Sequence, residues 1–260
     1  MSKTNDVAVK SQTSLQVSEN YSEDSGSGFE ESSQDSYAIP FLSILQSGSP
    51  QVKKSDGSYI KGAEEGNLFN SVTQEVYADG VDIIPCHYTQ RFLEWGLRES
   101  GGGFFGEHGA NDPIVSTTER DEKGRNMLPN GHQLSDTRNH YVLISHNGQL
   151  SPAIMSLSSS QIKASKTWMS MMQGQKEKNP ITGMYETAPM FSRYYRVKTV
   201  AQSNDKGSWF GYKFELGDKI PSDSAEYLEA KAFNHTVKSG RAKVERNMNV
   251  ESPSNEKEKF

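Results

Sequence analysis

The stretch from Met190 to Leu216, MFSRYYRVKTVAQSNDKGSWFGYKFEL, constrains this chain more than any other. Its alternation predicts two strands, Ser192–Ala201 and Ser208–Leu216, joined by a reversal over Asn204-Asp205-Lys206-Gly207. Asn, Asp and Gly tolerate the backbone angles that a tight hairpin turn needs. A turn centred on Asp205-Lys206 sets Lys198 opposite Lys213, Arg196 opposite Glu215 and Val200 opposite Gly211. Side chains alternate across a strand, so one face gathers Arg196, Lys198, Trp209 and Lys213 around a bare glycine. The other face carries Tyr195, Val197, Phe210, Tyr212 and Phe214 and reads as core. A cationic face with an indole and room for an approaching backbone suits a single-stranded nucleic acid. The same residues would equally serve as a solvated sheet face.

Net charge is -5, which by itself argues against a polyanionic partner. Its distribution reverses that argument. Residues 1–35 hold Asp6, Glu19, Glu23, Asp24, Glu30, Glu31 and Asp35 against only Lys3 and Lys10, so this arm carries the whole excess. Between Gln161 and Lys213, nine lysines and arginines face three carboxylates. A basic centre beside an acidic arm is a layout expected for binding a polyanion.

The arm lacks periodic apolar residues and is expected to be disordered, as is the polar tail 246–260. Mean hydropathy of -0.75 fits a chain that leaves part of itself outside a packed core. Order should begin near Tyr37, giving one domain over 36–245. Strands are expected over Leu68–Tyr77 and Val81–Thr89, paired through Asp79-Gly80. A further strand over Arg91–Arg98 follows, then a long polar excursion over 107–139. His140–Ser145 and Leu150–Leu157 should form a hairpin around Asn147-Gly148. A helix capped by Ser158 or Ser159 should run to Gln173, with Ile162, Met169 and Met172 on its apolar stripe. A second helix over Ser224–Lys238 carries a capping-box pattern in Asp223 and Glu226. The expected class is mainly β, an OB-like antiparallel barrel with two helices, because a helix between the third and fourth strands is the OB-fold order.

Motifs for catalysis are missing. Gly101–Gly106 has neither the Gly-Lys-Ser/Thr nor the following helix of a phosphate-binding loop. The single cysteine, Cys86, excludes an internal disulfide, and the spacing of His87, His108, His132, His140 and His146 matches no zinc pattern. No Gly-x-Ser-x-Gly elbow occurs. Neither enzymatic activity nor a cofactor is expected. No apolar run approaches the ~20 residues of a membrane span, and the N-terminus has no hydrophobic leader segment. A second stacking group is offered by Arg91, Trp95 and Arg98, which Glu94 and Glu99 could instead neutralise.

Several runs together carry a resemblance: PFLSILQSGSPQV, YIKGAEEG, RFLEWGLRESGGGFFGEH, PAIMSLSSSQIKASKTW, APMFSRYYRVKT and SNDKGSWFGYKF. They resemble a widespread group of uncharacterised tailed-phage proteins, over about Tyr37 to Val244. That group in turn resembles phage OB-fold single-stranded DNA-binding proteins. The resemblance implies a sequence-independent binder of single-stranded DNA in phage replication or recombination, working in the host bacterial cytoplasm. It also implies contact with phage replication proteins through a C-terminal tail ending at Phe260, although the acidic residues of this tail are balanced by basic ones. The expected contact residues are Arg91, Trp95, Lys163, Lys166, Arg196, Lys198, Trp209 and Lys213. The rival expectation is a virion or assembly protein without a DNA-binding role.

Overall fold

The computed structural model describes residues 24–32, 38–205 and 207–240. Most of the acidic arm and the whole tail with Phe260 therefore lie outside the described residues. The spine is β4 (Val81–Trp95), a 15-residue strand about 50 Å long. Three short strands precede it and form their own antiparallel sheet: β1 (Leu42–Ile44), β2 (Leu68–Asn70) and β3 (Val76–Tyr77). After it come β5 (Phe104–Gly109), β6 (Glu119–Arg120), β7 (Asn126–Met127), β8 (Gln133–His146) and β9 (Gln149–Ser158). Helix α1 (Ile162–Gln173) leads to a small hairpin of β10 (Lys176–Lys178) and β11 (Tyr185–Thr187). The chain then forms β12 (Arg193–Asn204), β13 (Gly207–Lys219) and helix α2 (Ala225–Lys238).

The main sheet runs β13-β12-β4-β8-β7-β6, with β5 added on β4 and β9 on β8. It curls into an antiparallel half-barrel, so the chain is mainly β with two helices, as expected. The predicted register of the β12–β13 hairpin holds: Lys198 pairs with Lys213, Arg196 with Glu215 and Val200 with Gly211. The β8–β9 hairpin also holds around Asn147-Gly148. Three expectations need correction. Asp79-Gly80 is a turn but not a hairpin, since β3 pairs with β2 and β4 pairs with β12, β5 and β8. The strands read separately on either side of Gln90 are the single strand β4. The excursion read over 107–139 is shorter, because β5 extends to Gly109 and β8 begins at Gln133.

Pro85 sits inside β4, where a ladder normally excludes it. Its register shift against β8 resolves this: Pro85 faces Val142 and His87 faces Tyr141, so Cys86 is an extra, bulged residue. The Asn234 side chain, reaching from α2, donates to the Cys86 carbonyl at 2.6 Å.

The two helices cover opposite faces of the sheet. Helix α1 buries Trp168 against Ile83, Val142, Met155, Tyr195 and Val197, with its indole stacked flat on Phe214 at 4.0 Å. Helix α2 covers Ile84, Cys86 and Leu143 on the other side. Its N-cap is Ser224, whose hydroxyl accepts from the Tyr227 N–H, rather than the expected Asp223. At α1, Ser158 makes no side-chain cap.

The outer edge of β13 is closed by side chains. Gln46 donates to the Phe210 carbonyl and accepts from its N–H, both at 2.9 Å, and Gln161 accepts from the Tyr212 N–H at 3.1 Å. Such amide caps remove the unpaired groups that would recruit another strand. Gly66 makes room beside this edge: a Cβ there would lie 2.7 Å from the Phe210 ring.

Candidate nucleic-acid interface

Alternation along β12 and β13 decides what reaches solvent. Tyr195, Val197, Tyr212 and Phe214 point beneath α1 into the core. Arg196, Lys198, Trp209, Lys213 and Glu215 therefore project from the opposite face. There, Lys198 and Lys213 each contact Glu215 at 2.8 Å, one on each carboxylate oxygen. These two hydrogen-bonded ammonium groups hold the Glu215 carboxyl at about 2, far below its ordinary 4.5. Arg196 reaches across to β4, where it pairs with Asp82 at 3.2 Å and donates to the Asp79 carbonyl. The face thus carries three cations and two carboxylates, and one positive charge is left in excess.

Trp209 is half-buried, and its indole N–H donates to the Gln202 amide oxygen Oε1 at 2.9 Å. Gln202 stands directly opposite Trp209 in the register. Its amide also lies over Gly211, where a Cβ would meet Gln202 Nε2 at 2.5 Å. The glycine read as bare is therefore covered by a side chain that would have to swing aside for a backbone to approach.

The other expected contact residues lie elsewhere. Lys163 and Lys166 are exposed on α1, on the opposite side of the hairpin from Lys198 and Lys213. Arg91 lies ten residues along β4 from the Val81–Val197 pairing, about 30 Å along the strand. It pairs with Glu107 at 2.9 Å, as a neutralised arginine would. Trp95 is 5% exposed and packs on Phe104 with ring centroids 5.3 Å apart. An indole so enclosed has no face left for a base, so Trp95 is a core residue here and not a stacking platform. The structure brings together Arg196, Lys198, Lys213 and Trp209; it leaves Arg91, Trp95, Lys163 and Lys166 apart from them.

Compared with models of protein families, residues 9–243 match the Pam3 phage gp34-like proteins. The chain belongs to the Pam3 phage gp34-like family. This makes it a bacteriophage protein, as its sequence runs suggested. No curated protein and no solved structure matches it.

This family member also holds a polar cluster that sequence reasoning did not assemble. Glu94 takes His132 Nδ1 on one carboxylate oxygen at 2.6 Å and His108 Nε2 on the other at 2.9 Å. Asn130 adds a third hydrogen bond at 3.0 Å. Burial alone would raise the Glu94 carboxyl, but the bonds from His132, Asn130 and His108 outweigh it and hold it below the usual range. The partners come from β5 and from the loop before β8, so no short spacing announces them. Among the described residues, no group of three or more His, Cys, Asp or Glu could hold a metal ion. The cluster acts as a clamp that ties β5 and the turn at 130–132 to the end of β4.

Proposed function

We propose that this phage protein binds single-stranded DNA without sequence preference, in replication or recombination, through the solvent face of the β12–β13 hairpin. The observation that carries this reading is the Lys198–Glu215–Lys213 triad on the same hairpin face as Trp209. A phosphodiester can replace the exposed Glu215 carboxylate between the two ammonium groups, and a base can then stack on the indole. Arg196 would extend the track along the same face. Lys163 and Lys166, on the far side, would meet only a strand that wraps around the sheet. In a titration with oligo-dT, Trp209→Ala and Lys198→Ala should each weaken binding severalfold. Wild-type protein that leaves oligo-dT unbound at low salt would remove this reading altogether.

A second reading, a virion or assembly protein, is favoured by a protruding apolar hairpin tip at Ile181, Met184 and Tyr185. Copurification with assembled particles would support it, whereas recovery only in the infected-cell lysate would not.

A further inference from the structure

Trp209 is the ring on which the DNA-binding reading stacks a base, and a side chain on a solvent face ordinarily samples several rotamers. This one is tied down. Its N–H donates to Gln202 Oε1 at 2.9 Å, from the residue directly opposite it on β12. The N–H groups of Trp95 and Trp168 differ, since both are buried without a partner among the described residues.

Only one orientation of the Gln202 amide satisfies this bond. An indole N–H is a donor only, so it must meet the amide oxygen, and the amide nitrogen then points away from the ring. That nitrogen lies over Gly211, where an added Cβ would come within 2.5 Å of Gln202 Nε2. Glycine inside a strand gives up side-chain packing and often marks the close approach of another group. Gly211 does not lie in the left-handed region, so its backbone does not demand glycine; the seated amide does.

The geometry points to Gln202 as the positioning residue of the stacking platform: seated in the notch at Gly211, it fixes the Trp209 ring before a base arrives. This assignment rests on the DNA-binding reading and adds to it the residue that prepares the ring. A ring already fixed has less rotamer freedom to lose on binding, so less of the stacking energy is spent on ordering it. Gln202 acts through Trp209 and need not touch the strand.

Proton–nitrogen NMR spectra of the indole groups, recorded on the full chain without nucleic acid, test the first half of this. The chain has three tryptophans, and the signal lost in Trp209→Phe is that of Trp209. Gln202→Ala should shift the Trp209 signal upfield and speed its exchange with water, leaving the Trp95 and Trp168 signals in place. Gly211→Ala, whose Cβ evicts the amide, should do the same. Gln202→Glu keeps an acceptor for the indole N–H and should return the signal toward its wild-type position. Oligo-dT titrations test the second half. Gln202→Ala should weaken binding severalfold in the wild-type background and change nothing in a Trp209→Ala background, because its effect passes through the ring. A Trp209 signal that ignores both Gln202→Ala and Gly211→Ala, or a loss of binding that persists without the indole, overturns the proposal. Wild type that leaves oligo-dT unbound removes the DNA-binding reading alone, and the indole signals then decide whether Gln202 holds the ring.

Discussion

Glu215 sits between Lys198 and Lys213 and sets how available they are. Its ionised form is favoured in the folded chain, so any stabilisation from the triad is complete above the ordinary carboxylate range. It is lost only as the pH falls toward about 2. Between about pH 5 and pH 8 the triad therefore stays closed, and titration of Glu215 adds no pH dependence to binding. Glu215→Gln should free both ammonium groups and tighten oligo-dT binding severalfold at low salt, measured by fluorescence anisotropy; weaker binding would contradict the triad as the contact. His140 acts in the same direction over a higher pH window. Burial, with help from Arg138, pulls its imidazole down to about 3 from an ordinary 6.5. The unfolded chain then takes up a proton first, so stability should decline as the pH drops below about 6.5 toward 3. Chemical denaturation across that window should show the decline, and His140→Gln should flatten it. Trp95 shows what a residue-scale reading of sequence misses. Its place beside Arg91 suggested a stacking ring, but its burial comes from Phe104, nine positions away beyond a glycine run, and no local pattern encodes that contact.

At the scale of elements, legibility followed periodicity. The β12–β13 hairpin could be read to the residue because polar and apolar positions alternate and an Asn-Asp-Lys-Gly reversal pins the register. Helix α1 was legible for the same reason in its own period. The first half of β8, QLSDTRN, was not: its buried residues include Ser135, Thr137 and Asn139, and polar core positions erase the alternation. Strands β6 and β7 have two residues each, too few to carry any period. Strand β4 runs unbroken through Gln90, where the reading divided it, and its irregularity lies instead at Pro85, which a central strand tolerates only through the Cys86 bulge. That bulge leaves a carbonyl for Asn234 to satisfy across the α2 interface. Asn234→Ala should therefore cost about 1–3 kcal/mol of unfolding free energy, because a buried acceptor loses its partner. Urea denaturation measures it, and a change within error would mean that water reaches the bulge.

At the scale of the whole molecule, a half-barrel carries its two helices on opposite faces, and this divides the basic residues. The sequence count placed nine cations in one region of the chain, but the fold sends Lys163 and Lys166 to one side and Arg196, Lys198 and Lys213 to the other. Charge counted along a sequence cannot distinguish those sides; strand parity can, once the register is known. The DNA-binding reading consequently rests on a compact face of three cations and one indole rather than on the whole basic segment. A face that small makes a definite claim about counterions. Each phosphate neutralised on a single strand contributes a slope of about -0.7 to log K against log salt. The most direct test is the salt dependence of oligo-dT binding by wild type and by a Lys198→Ala, Lys213→Ala double variant. The account predicts a measurable negative slope for wild type, reduced by about 0.7 in magnitude when both lysines, which hold one phosphate between them, are removed. An unchanged slope, or wild-type binding that ignores salt, would contradict it.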